Sequence, residues 1–199
     1  MVGIGLLIAI ILGLPIGILL FVTDRGLFLE NKFVKILLGI IINLIRSIPF
    51  IILLVFLFPF TEWLIGKMTG PYAASVSLSV AAIPFYARIV ESAARDIDKG
   101  VIEAAIAVGA SPWLIIKDII LPEVKSGLVS GLTITAISLI GYSAMAGTIG
   151  GGGIGDLAIR YGYYRYDNTV MFTTVIVLIV LVQVIQYLGD FIAKSVNKR

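Results

Sequence analysis

Residues 91–126 read ESAARDIDKGVIEAAIAVGASPWLIIKDIILPEVKS, and this stretch sets the frame for everything on either side of it. Arg88, Glu91 and Arg95 stand three and four residues apart, so they can pair along one helix face. Asp96 and Asp98 with Gly100 mark a turn and a helix start. Val101 to Val108 is short, Ala-rich and helical in pattern, and Gly109 suits its end. Ser111-Pro112 is a cap followed by proline at the first helical position, so a second helix starts there. Pro122 should interrupt or bend that second helix. The stretch is thus a pair of short helices carrying charges, set between long runs that carry almost none.

Working outward, those runs are long enough to cross a membrane, which takes about 20 apolar residues. Residues 71–89 precede the loop and residues 127–149 follow it; residues 2–22, 36–60 and 169–188 complete five predicted spans. Only Arg46 is charged within 36–60, and Arg88 lies at the end of 71–89. Of the 199 residues 59% are hydrophobic and 14% charged, whereas a soluble domain has about a quarter of its residues charged. Mean hydropathy is +1.09. The predicted fold class is therefore an all-α integral membrane protein. Its five transmembrane helices form a single domain over residues 1–199, with no linker and no convincing internal repeat.

The chain contains no cysteine and no histidine. That removes disulfides, thiolate metal sites, histidine switching and the common Cys/His and Ser/His catalytic arrangements. No Asp or Glu lies within a predicted span. An intramembrane enzyme would need such groups, and an ion-coupled secondary transporter typically uses them. A channel or a secondary transporter for a small solute is the alternative reading. The net charge of +3 does not point to nucleic acid, because the basic residues flank apolar runs and form no stripe. They set orientation instead. Eleven of the fifteen Lys and Arg fall in one set of connections (Arg25, Lys32, Lys35, Arg88, Arg95, Lys99, Lys117, Lys125, Lys194, Lys198, Arg199). Three fall in the other, Lys67, Arg160 and Arg165. The richer set is expected to be cytoplasmic, which puts the N-terminus outside and the C-terminus inside. Residues 2–22 lack the basic n-region and the cleavage site of a signal peptide.

Glu103-Ala104-Ala105, three residues, Gly109, nine residues, then Ile119-Ile120-Leu121-Pro122 matches the EAA motif of bacterial ABC-importer permeases at every fixed position. Arg46-Ser47-Ile48-Pro49-Phe50, Gly141-Tyr142-Ser143-Ala144-Met145 and the glycine-rich 150–155 followed by Tyr161-Gly162-Tyr163 resemble methionine-importer permeases, as does the five-span layout. The resemblance covers essentially the whole chain. It implies a permease homodimer in the bacterial inner membrane, with two ATP-binding cassette subunits and an extracytoplasmic binding lipoprotein that delivers D- and L-methionine. ATP and Mg would then be held by the partner ATPase and no cofactor by this chain. Residues 91–126 become the coupling loop, with Glu103, Ala104, Ala105, Gly109, Ile119, Leu121 and Pro122 as its coupling residues.

Several residues remain open between two roles. Arg46 lies about 16 Å along a helix from Lys35 at 1.5 Å per residue, as a pathway residue or as a structural partner of a carboxylate or backbone carbonyls near a helix break at Pro49. In the fourth span Gly127, Gly131 and Thr135 are spaced for close helix contact. Tyr142, Ser143 and Met145 are candidate gate residues, Met145 as a flexible plug, with gap-filling inside one subunit as its other role. The glycine run lacks the Lys-Ser/Thr of a phosphate loop and reads as an outer turn. The tyrosines and basic residues of 156–167 suit either a docked partner or an interfacial belt.

Overall fold

The computed structural model describes residues 1–197, so Lys198 and Arg199 of the set expected to be cytoplasmic lie outside the described residues. Among those described there is no strand. The first span is α1, Val2–Val22. Pro15 cannot donate a backbone hydrogen bond, and the turn before it, Ala9–Gly13, widens to a π-helix that keeps α1 continuous.

Asn31 caps α2, Lys32–Ser47, by accepting from the Val34 N–H at 3.1 Å. The helix stops at Ile48, which is extended because it precedes Pro49. The chain then turns by 103° into α3, Phe50–Phe56, and continues through α4, Phe58–Ile65. Residues 36–60 therefore do not form one straight helix, and the interruption falls at Pro49, where a helix break was expected. At 16 residues α2 is about 24 Å long, short of a roughly 30 Å hydrocarbon core, and α3 leaves it sideways. Among the described residues four helices are long and apolar enough to cross a membrane alone, and the bent α2–α3 pair is a fifth by length and composition if it is counted as one span.

The central helix is α5, Pro71–Arg95, against which α1, α2 and α8 pack. Its buried face is built of small residues, Ala73, Ala74, Ser75, Ser77, Ser79, Ala82 and Ala87, which let backbones approach where lipid supplies no hydrophobic drive. At Gly17 of α1 a Cβ would lie 2.5 Å from the Ala87 carbonyl oxygen and 2.6 Å from Val90 Cβ, so only glycine fits.

The loop between the third and fourth spans forms two helical pieces. Helix α6 is Lys99–Ala107. Helix α7 covers residues 112–123, with a π-helix at Ile115–Ile120. Pro122 does not break α7; the π turn ahead of it absorbs the missing donor, as it does before Pro15. The break comes at Val124 (φ −87°, ψ 0°). Helix α8, Lys125–Ala146, then returns along α5. Gly127 meets Ala93, and Gly131 meets Ile89, so this glycine pair serves packing within the chain. A short helical stretch α9, residues 154–163, leads to α10, Asn168–Val196, capped by the Asp167 carboxylate. Gly189 of α10 lies against Thr133 of α8. Elsewhere α10 is open, with Phe172, Tyr187 and Phe191 exposed.

One end of the bundle gathers residues 23–35, 91–126 and the end of α10: Asp24 and Lys35 contact the Glu91–Arg95 turn, and the Ser126 hydroxyl donates to the Ala193 carbonyl at 3.1 Å. The glycine turn sits at the opposite end, beside Met1. The connections sort by end as the basic residues divide them.

Candidate functional site

The α6 segment is shaped by its caps. Asp98 accepts from the Gly100 N–H at 2.8 Å and starts the helix. At its end the Ala110 N–H donates to the Ala105 carbonyl at 3.0 Å and the Gly109 N–H to the Ile106 carbonyl at 2.9 Å. This paired arrangement needs a left-handed residue, and Gly109 supplies it with φ +79°. Nothing lies within 4 Å of where its Cβ would be, so the demand is on backbone angle, not on space. Ser111 then accepts from the Leu114 N–H at 3.4 Å and caps α7.

The two faces of α6 differ. Ile102 and Ala105 are buried against the bundle. Val101, Glu103, Ala104, Ile106 and Val108 are exposed, Val108 by 85%. Trp113 and Leu114 continue this open apolar surface, at 69% and 44%. The two alanines of the motif thus point opposite ways: Ala104 outward, Ala105 inward. Ile119 and Leu121 pack against the core and Pro122 borders a polar cleft with Ala93 and Asp96. These three residues hold the loop to the bundle and are not continuous with the exposed face of α6. The buried residue of that quartet is Ile120, the one position the motif leaves free.

The gate candidates lie around the α2–α3 break. Phe50 and Tyr142 stack with ring centroids 4.7 Å apart and 8° between planes, an offset or stacked pairing that steadies both rings. They line a cavity of about 140 Å³ with Arg46, Leu53, Ala81 and Phe85. Arg46 makes no ion pair or hydrogen bond among the described residues, so the structural alternative finds no partner near Pro49 there. Ser143 donates to the Ile140 carbonyl at 2.8 Å and does not line the cavity. Met145 stands one turn beyond Tyr142, 45% exposed, on a face of α8 that also carries Gly141 and Ile134. It does not fill a gap inside its own chain. Phe50, quoted above only as part of the Arg-Ser-Ile-Pro-Phe run, is the cavity residue to which the sequence assigned no role; a bulky aromatic just after Arg-Ser-Ile-Pro was the available signal.

A third cluster joins three segments. The Glu91 carboxylate, 1% exposed, accepts from Lys35 (2.6 Å), Arg88 (2.6 Å) and Arg95 (3.0 Å). Asp24 pairs with Lys35 at 3.1 Å and with Arg95 at 2.9 Å. Burial alone would raise the Asp24 carboxyl, but the Arg25 N–H, Lys35 and Arg95 hold it below the ordinary carboxylate value. The helix-face trio Arg88, Glu91 and Arg95 was legible from spacing; Asp24 and Lys35 come from distant sequence.

Comparison with known proteins places the chain in a family. The chain is 46% identical over 199 residues to the probable D-methionine transport system permease protein MetI of Vibrio cholerae, covering 100% of this chain and 88% of that one. It is 45% identical over 181 residues to the methionine import system permease protein MetP of Bacillus subtilis, covering 91% and 82%. A solved structure of the MetNI methionine ABC transporter in inward-facing conformations superposes with a TM-score of 0.97 at 45% identity, over 99% of this chain and 91% of that one. An amino acid ABC transporter solved with histidines shares the fold at a TM-score of 0.77 and 17% identity. The model of the family described as binding-protein-dependent transport system inner membrane component matches residues 5–199, and this chain belongs to that family.

Proposed function

We propose that this chain is the transmembrane permease of an ATP-driven methionine importer, taking D- and L-methionine from an external binding lipoprotein and releasing it to the cytoplasm. Residues 1–199 act as one permease domain. Two copies work together with two ATPase subunits, which hold the ATP and Mg; this chain supplies no catalysis and holds no cofactor. The N-terminus is outside and the C-terminus cytoplasmic, so α6 faces the ATPase and the 150–167 turn faces the binding protein. Residues 2–22, 36–60, 71–89, 127–149 and 169–188 lie at membrane depth, the second as a broken span.

The observation that carries this reading is the exposed apolar side of α6 at the Lys- and Arg-rich end. A short helix in a charged loop that leaves Val101, Ile106 and Val108 exposed calls for a partner surface. Glu103, Ala104 and Gly109 meet that partner, while Ala105, Ile119, Leu121 and Pro122 transmit its movement into the bundle. ATP binding closes the two ATPase subunits and draws the α6 helices together, and the permease pair swings from inward-open to outward-open. Each ligand shifts that balance only by its differential affinity for the two states. The relatives' substrate carries the assignment of methionine. Arg46 and Tyr142 at the cavity, Ser143 behind them and Met145 on the open face of α8 form the pathway and its gate.

Reconstitution of the chain with its ATPase subunit and binding protein in vesicles, with a panel of amino acids, tests the reading. Uptake of methionine that requires ATP is the expected result. Uptake driven by an ion gradient without ATP would overturn it, and preference for another amino acid would overturn the methionine assignment.

A further inference from the structure

Helix α2 is weakly held by apolar contacts. Ile42 is its one buried residue, while Phe33, Ile40 and Leu44 are exposed. Yet α2 carries Arg46 in its last turn and stops at the break at Ile48, so its position sets one wall of the cavity shared with Tyr142. What fixes α2 is at its other end. Lys35, in its first turn, donates at 2.6 Å to Glu91 of α5 and at 2.8 Å to the Leu20 carbonyl of α1, and pairs with Asp24. Glu91 in turn holds Arg88 and Arg95 on α5. Two carboxylates and three cations from three segments meet around one buried oxygen pair. Beyond Arg95 the chain needs three residues, Asp96, Ile97 and Asp98, to reach α6.

A buried ion network is a poor source of net stability, because desolvation offsets the Coulomb attraction and apolar packing would serve as well. Its distinctive property is directional: each carboxylate oxygen accepts from a fixed donor, so it ties helices in one geometry. An apolar contact between lipid-embedded helices carries no such register. We infer that Glu91 and Lys35 are positioning residues for transport, linking α6 through the end of α5 to α2 and so to the cavity wall at Arg46. This rests on the coupling role proposed above for α6. Displacement of α6 moves the end of α5; the Glu91–Lys35 tie carries α2 with it; α2 moves Arg46 and Pro49 relative to Tyr142. Without the tie, α6 and α5 still respond to the ATPase, but α2 no longer follows.

The test uses the full complex in vesicles and reads methionine imported per ATP hydrolysed. Glu91→Gln keeps the shape of the side chain and removes its charge; Lys35→Met removes the other partner. In each, the imported-to-hydrolysed ratio should fall about tenfold, inside the range of ordinary coupling between sites. The double variant Lys35→Met/Glu91→Gln should be no worse than either single one, because both remove the same link. A residue that served only folding would lower the amount of complex and leave the ratio untouched. A wild-type ratio in the variants that assemble would overturn the inference, as would losses that multiply in the double variant. If Glu91→Gln fails to accumulate, Lys35→Met, on a side chain 19% exposed, decides the matter by the same ratio. Gly109→Val serves as the control: normal import with that substitution would mean that the coupling role of α6 fails, whereas a dead Gly109→Val beside wild-type ratios for Glu91 and Lys35 would mean that only the tie fails.

Discussion

At α6 the chain leaves Val101, Ile106 and Val108 exposed, held by caps and a glycine turn; at the α2–α3 break it closes Phe50 and Tyr142 on each other beside Arg46. Both regions are short helices ended by a strong backbone constraint, Gly109 in one and Pro49 in the other. The first is a finished backbone with an unfinished surface, so its shape is local and its partner lies outside the chain. The second is a joint between segments, so its shape depends on what α5 and α8 bring to it. Substitutions should therefore act on transport alone at α6, and on both transport and stability at the break.

The largest effect is expected at Gly109. Valine at φ +79° disturbs the paired hydrogen bonds that end α6, while adding no clash. Gly109→Val should abolish uptake and leave the protein in the membrane at normal level; transport at the wild-type rate would remove the distinction between the two regions. At the break, Phe50→Ala removes a stacked ring that is 7% exposed. Lipid is as apolar as the interior, so mainly the packing part is lost, about 1–3 kcal/mol. The expected result is a lower thermal midpoint together with slowed uptake; an unchanged midpoint would mean that the stack does not hold the joint.

A smaller effect on stability, with a clear one on gating, is expected at Met145. Its exposure of 45% means that Met145→Ala should leave the thermal midpoint little changed, while vesicles leak or hydrolyse ATP without matching uptake. In a symmetric pair the same residue from both copies approaches the two-fold axis. With no native cysteine, Met145→Cys or Gly141→Cys should crosslink two copies, and Gly131→Cys, which faces Ile89 of its own chain, should not. The reverse pattern would place the interface elsewhere. The smallest effect belongs to Ser111. Ser111→Ala removes the cap on α7 at about 1 kcal/mol, read as a small drop in thermal midpoint with uptake largely kept.

The same contrast explains what could be read from the sequence. The α6 turn was legible because its determinants are adjacent: Asp98 with Gly100, Gly109 and Ser111-Pro112 each act within four residues. The four long helices were legible because lipid demands a continuous apolar run. A helix break at Pro49 was expected, but its size was not, since the residues on both sides are as apolar as those of a straight span, and Ile48-Pro49 alone does not distinguish a kink from a 103° turn. Pro122 misled in the opposite sense, because a π turn upstream can absorb a proline and hydropathy is blind to it. The stripe Gly127, Gly131 and Thr135 was expected to serve close packing, and both glycines meet α5 of the same chain, at Ala93 and Ile89. Lys35 and Asp24 looked like ordinary boundary charges because their partner Glu91 lies 56 residues from Lys35.

The central claim is that the exposed face of α6 is covered by the ATPase subunit. Val108→Cys and Ala104→Cys place a thiol on that face, and Ile102→Cys on the buried one. In a complex that still hydrolyses ATP, the account predicts crosslinks from Val108→Cys and Ala104→Cys to cysteines in the ATPase subunit, with yields that change when ATP binds, and none from Ile102→Cys. Absence of any crosslink from the exposed face of α6 in such an active complex, tested against cysteines across the permease-facing surface of the ATPase, would contradict it.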